Sequence, residues 1–243
     1  MDDGSPGETV WLLQEQLEYY RAGAAEYDAA NRDLLASRDS DGTSRRTGRE
    51  QALAALAVAK GRKVLELAGG TGVYTEALVE LAGELTVVDG SPESLAINQA
   101  RLGPRPGLEF VLADLFTWSP AERYEVVVFA FWLSHVPPDH FHGFWDLVDR
   151  CLAPEGTVVV IDARAPTPGA ARSEKATFFS EDRVDDSTVI RRTGDGTLYR
   201  IVRVMWSPDD LTSRLAELGW VAEFEGSHWL IGQVTRASHP AQS

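Results

Sequence analysis

The stretch Lys63-Val64-Leu65-Glu66-Leu67-Ala68-Gly69-Gly70-Thr71-Gly72-Val73-Tyr74-Thr75 constrains the fold of this chain more than any other. A short apolar run carrying one acid meets a glycine-rich turn, and a helical pattern starts directly after it. Glycine admits backbone conformations closed to other residues and lets a ligand approach the main chain. A helix that begins there points unpaired N–H groups at the same ligand. The junction predicts a strand–loop–helix unit with a ligand at the strand end, and its spacing decides which ligand.

The pattern then alternates. Val64–Leu67 reads as a strand, 73–82 as a helix and Glu84–Val88 as a second strand. Ser91-Pro92-Glu93 announces the next helix, with Ser91 as N-cap, proline in the first helical position and an early acid. Glu109–Leu112 is a third strand. Tyr124–Phe131 is a fourth, apolar on both faces and therefore central in a parallel sheet. A helix over His140–Leu152, a turn at Pro154-Glu155-Gly156 and a fifth apolar strand over Thr157–Asp162 follow. Strand–helix alternation implies right-handed crossovers and a doubly wound, Rossmann-like α/β fold. With a terminal strand pair over Val221–Glu225 and Trp229–Thr235, the sheet is mainly parallel and seven-stranded.

Three segments stand outside that alternation. Residues 10–35 read as a helix with Val10, Leu13, Leu17 and Tyr20 on one face. Residues 36–48 lack periodicity and read as a mobile loop before an alanine-rich helix over 49–59. Residues 163–187 are polar, and Thr188–Thr193 and Thr197–Trp206 alternate around Gly194-Asp195-Gly196, an inserted hairpin. Ser207 and Asp210 then form a short capping box for a helix that stops at Gly219.

The 243 residues suffice for one sizeable core, and the formal net charge of −14 counts against nucleic acid and anionic membrane surfaces as partners. Cys151 is alone, so no internal disulfide or cysteine metal cluster is expected, and its apolar helical context reads as a small buried side chain. The acidic start Met1-Asp2-Asp3-Gly4 lacks the apolar core of a secretory signal, and no run approaches the roughly 20 apolar residues of a membrane span. The expectation is a soluble cytoplasmic protein, with monomer and homodimer both open.

In an open α/β sheet, ligands bind beyond the carboxyl ends of the strands at the topological switch point. Four segments follow strands here: Ala68-Gly69-Gly70-Thr71-Gly72, Asp89-Gly90-Ser91, Ala113-Asp114-Leu115 and Phe131-Trp132-Leu133-Ser134-His135. A dinucleotide fingerprint needs a third glycine where Thr75 stands. Glu66 would also repel a pyrophosphate. The loop suits a ligand with a neutral or cationic moiety.

Glu66-Leu67-Ala68-Gly69-Gly70-Thr71-Gly72 resembles the cofactor loop of the class I S-adenosylmethionine-dependent methyltransferases, with Ala68 where the family's commonest form has glycine. The resemblance covers residues 50–162 well and the terminal strands more loosely. It implies that Asp89, with Gly90 and Ser91, binds the ribose hydroxyls, and that Asp114 and Leu115 contact the adenine. Gly69, Gly70 and Phe131 complete the cofactor site, and Glu66 approaches the methionine ammonium. Paired tyrosines like those around Tyr20 and Tyr27 fold over the cofactor in many small-molecule members, a tyrosine hydroxyl reaching its carboxylate. Residues 1–48 then form an N-terminal helical lid and loop, and 49–243 the methyltransferase core, with 163–205 as a substrate cap.

Methyl transfer needs in-line alignment and exclusion of water, and a protonated acceptor also needs a base. His135 is the candidate base, against a reading in which it packs or bonds the backbone; His140 and His142 are weaker candidates. Arg164 would hold an acidic group of the substrate, and Trp132, Phe178, Phe179 and Tyr199 would wall an apolar pocket. No acidic cluster follows the fourth strand, so no metal is expected, and the Asn/Asp-Pro-Pro-aromatic motif of nucleic-acid amino-methylating enzymes is absent. The expected acceptor is an oxygen or nitrogen of a small metabolite, with bacterial secondary metabolism suggested by an alanine- and arginine-rich composition. A non-methylating reaction on the same cofactor, such as cyclisation or elimination, and a non-catalytic cofactor-binding subunit remain open readings.

Overall fold

The computed structural model describes residues 6–36, 45–165, 182–225 and 229–237. Phe178 and Phe179, expected in the substrate wall, lie outside the described residues, as does 37–44 of the expected loop.

The strands are β1 (Lys63–Leu67), β2 (Glu84–Asp89), β3 (Leu108–Leu112), β4 (Tyr124–Ala130), β5 (Leu152–Ala163), β6 (Asp182–Arg183), β7 (Thr188–Arg192), β8 (Leu198–Val202), β9 (Trp220–Glu225) and β10 (Trp229–Arg236). The helices are α1 (Pro6–Ala36), α2 (Arg45–Ala55), α3 (Thr75–Leu81), α4 (Pro92–Leu102), α5 (Phe141–Cys151) and α6 (Pro208–Glu217). Seven strands form one sheet in the order β3-β2-β1-β4-β5-β10-β9. The first five pair in parallel, and β10 runs antiparallel to both β5 and β9. This is the doubly wound, mainly parallel seven-stranded sheet that the alternation implies.

Apolar residues on both faces of the central strands give the sheet two cores. On β4, Val127 and Phe129 enter a cluster with Phe141, Trp145 and Leu211. The intervening Val126 and Val128 join Ala52, Leu56, Leu78 and Leu95 on the opposite face. Successive side chains of a strand point to opposite faces, so an uninterrupted apolar run can be buried only between two helical layers. Cys151 is fully buried in the first of these cores, and burial pushes its thiol up to about 12.

Several local expectations change. Among the residues of α1 whose burial is described, Gln16, Tyr19 and Ala24 are buried, while Val10 is 62% exposed beside an exposed Trp11. The inward stripe therefore starts later and is displaced from the one expected. α2 begins earlier than expected, at Arg45, and its continuation Leu56–Ala59 tightens into a 3-10 turn. The expected turn at Pro154–Gly156 is a bulge within β5: pairing jumps from Tyr124↔Leu152 to Val126↔Thr157. Proline lacks the N–H that a regular ladder needs there. Arg123 and Arg236 satisfy the Leu152 carbonyl instead.

The hairpin forms as expected around Gly194–Gly196, with Asp195 accepting from Thr193 Oγ1 at 2.6 Å and Thr197 N at 3.0 Å. β6 adds a third strand to it. Its second strand stops at Val202, because Val204 N turns away to the Ser134 carbonyl at 2.8 Å. α1 crosses β8 and α4, with ion pairs from Glu15 to Arg200 at 2.9 Å and from Arg21 to Glu93 at 3.1 Å.

Candidate active site

β1 ends in a loop whose shape follows from its small residues. Ala68, Gly70 and Gly72 have φ of 53°, 54° and 91°. For Ala68 the left-handed conformation costs about 1 kcal/mol. A Cβ on Gly69 would overlap Val87, and one on Gly72 would overlap the Asn98 amide. At Gly70 the same position meets nothing within 4 Å, so the main chain there faces open space.

A buried chain of side chains holds this loop. Thr75 Oγ1 donates to Glu66 Oε2 at 2.6 Å. Asn98 Nδ2 donates to Thr75 Oγ1 at 2.9 Å and to the Gly70 carbonyl at 3.3 Å. Thr75, which breaks the dinucleotide fingerprint, is thus the donor that a buried Glu66 requires. Burial pushes the Glu66 carboxyl up to about 8. Asn98 had no signal in the sequence beyond its place on the buried face of α4.

Asp89 closes β2. Its Oδ2 accepts from Gly70 N and its Oδ1 from Ser91 N, each at 2.8 Å. Ser91 also caps α4, as expected, accepting from Ser94 N at 3.1 Å. Burial raises the Asp89 carboxyl against these stabilising bonds. α1 lies over this turn: a Cβ on Gly90 would meet Leu17 Cδ1 at 3.3 Å. Asp114 is exposed and its Oδ1 accepts from Phe116 N at 2.9 Å, while Leu115 is buried in the core.

Phe131, just past β4, has φ of 54° and stands edge-on to Trp229 at 5.1 Å. Ala68 and Phe131, the described non-glycine residues with positive φ, follow the adjacent strands β1 and β4. Strand order reverses between those strands, which is where open α/β sheets bind ligands. Backbone strain collects at such sites when the surrounding fold over-determines it.

His135 is 4% exposed and fully engaged. Its Nδ1 lies 2.7 Å from the Val202 carbonyl and its Nε2 lies 2.8 Å from Tyr20 Oη. A carbonyl only accepts, so Nδ1 carries the proton, and Nε2 accepts from the tyrosine hydroxyl. Burial, Arg203 and Arg191 hold the imidazole well below its ordinary range, and burial raises the Tyr20 phenol. Both groups are neutral. Gln16 braces the pair: its Nε2 donates to the His135 carbonyl at 3.1 Å and its Oε1 accepts from Val202 N at 2.9 Å. Tyr27, farther along α1, is half-buried; burial first, and Tyr27 after it, raise the Tyr74 phenol.

Next to His135, Ser134 N donates to Asp162 Oδ2 at 2.9 Å and Ser134 Oγ accepts from Arg203 Nη1 at 2.8 Å. Trp132 packs against Phe116 with ring centres 5.7 Å apart, and its buried Nε1 finds no partner among the described residues. Arg164 is half-buried and bridges to Trp206. Tyr199 stands edge-on to Tyr19 at 5.8 Å and lines an outer hollow with Trp11, Gln14, Glu15 and Arg200. His140 bonds Asp139 at 2.9 Å, and His142 is exposed. Gln16, Asn98, Arg191 and Arg203 are the members of this region that sequence reasoning missed.

A family model described as a methyltransferase domain matches residues 64–156. The ubiquinone/menaquinone biosynthesis C-methyltransferase of Pseudomonas fluorescens (strain Pf0-1) is 31% identical over 157 residues, which cover 62% of this chain and 58% of that protein. The chain therefore matches only a little over half the length of this curated relative. Two solved structures are similar along nearly their whole length. The DhpI-SAH complex is 33% identical, covers 94% of this chain and 98% of its own, and superposes with a TM-score of 0.76. The DhpI-SAM-HEP complex is 36% identical, with 92% and 97% covered and a TM-score of 0.75. A glycine loop locked by Glu66, an acid closing β2 and a strand order that reverses at that loop thus coincide with these likenesses, and the chain belongs to the class I S-adenosylmethionine-dependent methyltransferase family.

Proposed function

We propose that this chain transfers a methyl group from S-adenosylmethionine to an oxygen or nitrogen atom of a small molecule. The observation that carries the reading is the meeting of Gly70, Asp89 and Glu66 at the ends of β1 and β2, beneath α1. The residues suit the cofactor. The Asp89 oxygens accept from backbone N–H groups of Gly70, Gly90 and Ser91, and the carboxylate's about four lone-pair sites leave capacity for a ribose hydroxyl. Gly69 and Gly70 offer main chain without side chains, and the acidic Glu66 suits an ammonium. Ala68, Gly90 and Ser91 complete the turn, Asp114 and Leu115 flank the adenine side, Phe131 closes the cofactor site beyond β4, and Tyr20 and Tyr27 approach from α1.

When bound, the sulfonium supplies a methyl group that is already electrophilic. The chain's own task is to align the acceptor, exclude water and manage one proton. α1 and the hairpin of β7 and β8 form the cover, and Trp132 and Arg164 border the acceptor. His135 is the base and acts through Tyr20: Tyr20 Oη takes the acceptor's proton as its own moves to His135 Nε2. Such a pair serves an O–H or N–H acceptor, which favours those atoms over carbon. A cytoplasmic enzyme of secondary metabolism, acting as monomer or homodimer and without nucleic-acid or membrane partners, fits the −14 charge. Among the described residues no helix is long and apolar enough to cross a membrane.

Incubation with S-adenosylmethionine and a panel of small hydroxyl, carboxyl and amino compounds tests the reading. Methylated product with stoichiometric S-adenosylhomocysteine supports it. Cofactor binding with no turnover on any panel member would favour the non-catalytic subunit.

A further inference from the structure

Asn98 is fully buried on α4, against the loop between β1 and α3. Its Nδ2 lies 3.3 Å from the Gly70 carbonyl and 2.9 Å from Thr75 Oγ1, while its Oδ1 has no partner among the described residues. A carbonyl only accepts, so the Gly70 oxygen fixes the amide with its nitrogen toward the loop. Packing alone does not account for an amide that leaves its buried oxygen unpaired, because such a group costs free energy.

The Nδ2 donation decides where the Thr75 proton goes. A hydroxyl has a single proton, and an amide N–H on one of its lone pairs leaves that proton for another acceptor. Thr75 Oγ1 accordingly donates to Glu66 Oε2 at 2.6 Å. Oε2 is thereby occupied, and Oε1 takes no hydrogen bond from the described residues. Burial raises the Glu66 carboxyl, the Thr75 bond opposes the rise, and Asp89 at the end of β2, the charged neighbour, adds to it.

We propose that Asn98 is a positioning residue for the ammonium of the cofactor: through Thr75 it turns Glu66 Oε2 into the loop and leaves Oε1 to the ligand. This rests on the methyltransferase reading above and refines the methionine end of the same site. In the neutral Glu66 the proton sits on Oε1 and leaves to solvent as the ammonium arrives; the carboxylate keeps its Thr75 bond and pairs with the new charge. The oxygen that meets the ligand is thus set before binding.

Calorimetry on the full chain tests the role with two probes: S-adenosylhomocysteine, and methylthioadenosine, which keeps the adenine and ribose and lacks the ammonium. Heats in buffers of different ionisation enthalpy give the protons released. Asn98→Ala should weaken S-adenosylhomocysteine binding by at least about tenfold, the order of one lost hydrogen bond to a charged group, and reduce the proton release. Methylthioadenosine should bind the variant as it binds the parent. Thr75→Val should behave alike, and the double variant should lose no more than either single one, because the two residues act in series. Asn98→Leu, which fills the space without a donor, serves if Asn98→Ala does not fold. Parallel losses for both probes would mark a merely structural residue and overturn the role, as would unchanged S-adenosylhomocysteine binding or additive single effects. Failure of both probes to bind the parent chain would instead sink the cofactor reading, and this role with it.

Discussion

Tyr20 Oη lies 2.8 Å from His135 Nε2, across a sequence separation of 115 residues. His135 Nδ1 in turn reaches the Val202 carbonyl at 2.7 Å. One hydrogen-bonded path therefore joins α1, the loop after β4 and the inserted hairpin. Both imidazole nitrogens are engaged, so the proposed proton transfer has to run through the tyrosine. The proposed base and the proposed cover are thus joined in one hydrogen-bonded assembly.

His135→Ala should lower kcat by about 10²–10⁴-fold, the usual range for a positioned acid–base group. Tyr20→Phe should lower it too, because the phenyl ring keeps the packing and loses the proton path. The His135 variant should bind S-adenosylhomocysteine within about threefold of the parent, since a factor of three is well under 1 kcal/mol. Steady-state rates with calorimetry check this, and normal turnover by the His135 variant would remove its role.

Asp89→Ala removes charge-assisted bonds to Gly70 N and Ser91 N as well as the proposed ribose contacts. With about 1.5–3 kcal/mol for each hydrogen bond to a charged group, cofactor affinity should fall by at least about 100-fold. Asp89→Asn should lie between the two. Calorimetry reads the affinity, and thermal melting separates it from loss of the loop.

Glu66 gives a pH dependence of defined sign. Burial raises its folded carboxyl from 4.5 to about 8, so between those values the folded state holds a proton that the unfolded state has lost. Stability from this group is present below about 4.5 and is lost as pH rises through about 8. Glu66→Gln should flatten that decline and make the chain relatively more stable at the alkaline end. Denaturant melts across the range would show it, and an unchanged slope would mean that Glu66 is ionised in the fold. An ammonium arriving beside Glu66 should also expel the proton, detectable as a buffer-dependent binding heat.

Gly72→Ala should destabilise the chain by about 2 kcal/mol or more, because the new methyl meets the Asn98 amide at a φ of 91°. Gly61→Ala, at φ of 70° with nothing within 4 Å, should cost about 1 kcal/mol from backbone conformation alone. Urea unfolding of both variants distinguishes steric conflict from conformational strain. Equal costs would show that the Asn98 contact yields freely.

The sheet was readable because its signals are local. Apolar runs such as Val126–Phe129, caps such as Ser91, and the turn at Gly194–Gly196 each declare themselves within a few residues. The glycine loop and Asp89 were readable because strand ends are where such a fold places its ligand. Gln16, Asn98, Arg191 and Arg203 were not, because each acquires its setting from docking between segments distant in the chain. A hairpin pattern says that two strands pair and nothing about which face receives α1. The misplaced stripe on α1 has the same origin: Gln16 is inside because Val202 and the His135 carbonyl need its amide, while Val10 stays outside. Hydrophobic periodicity does not register a polar residue buried for its hydrogen bonds.

Titration of the full chain with S-adenosylmethionine and S-adenosylhomocysteine, followed by calorimetry beside the Asp89→Ala variant, tests the central claim most directly. The site built from Gly70, Glu66 and Asp89 predicts one saturable site for both ligands and its near-complete loss in the variant. Failure of both ligands to bind at millimolar concentration, or equal binding by the variant, would contradict it.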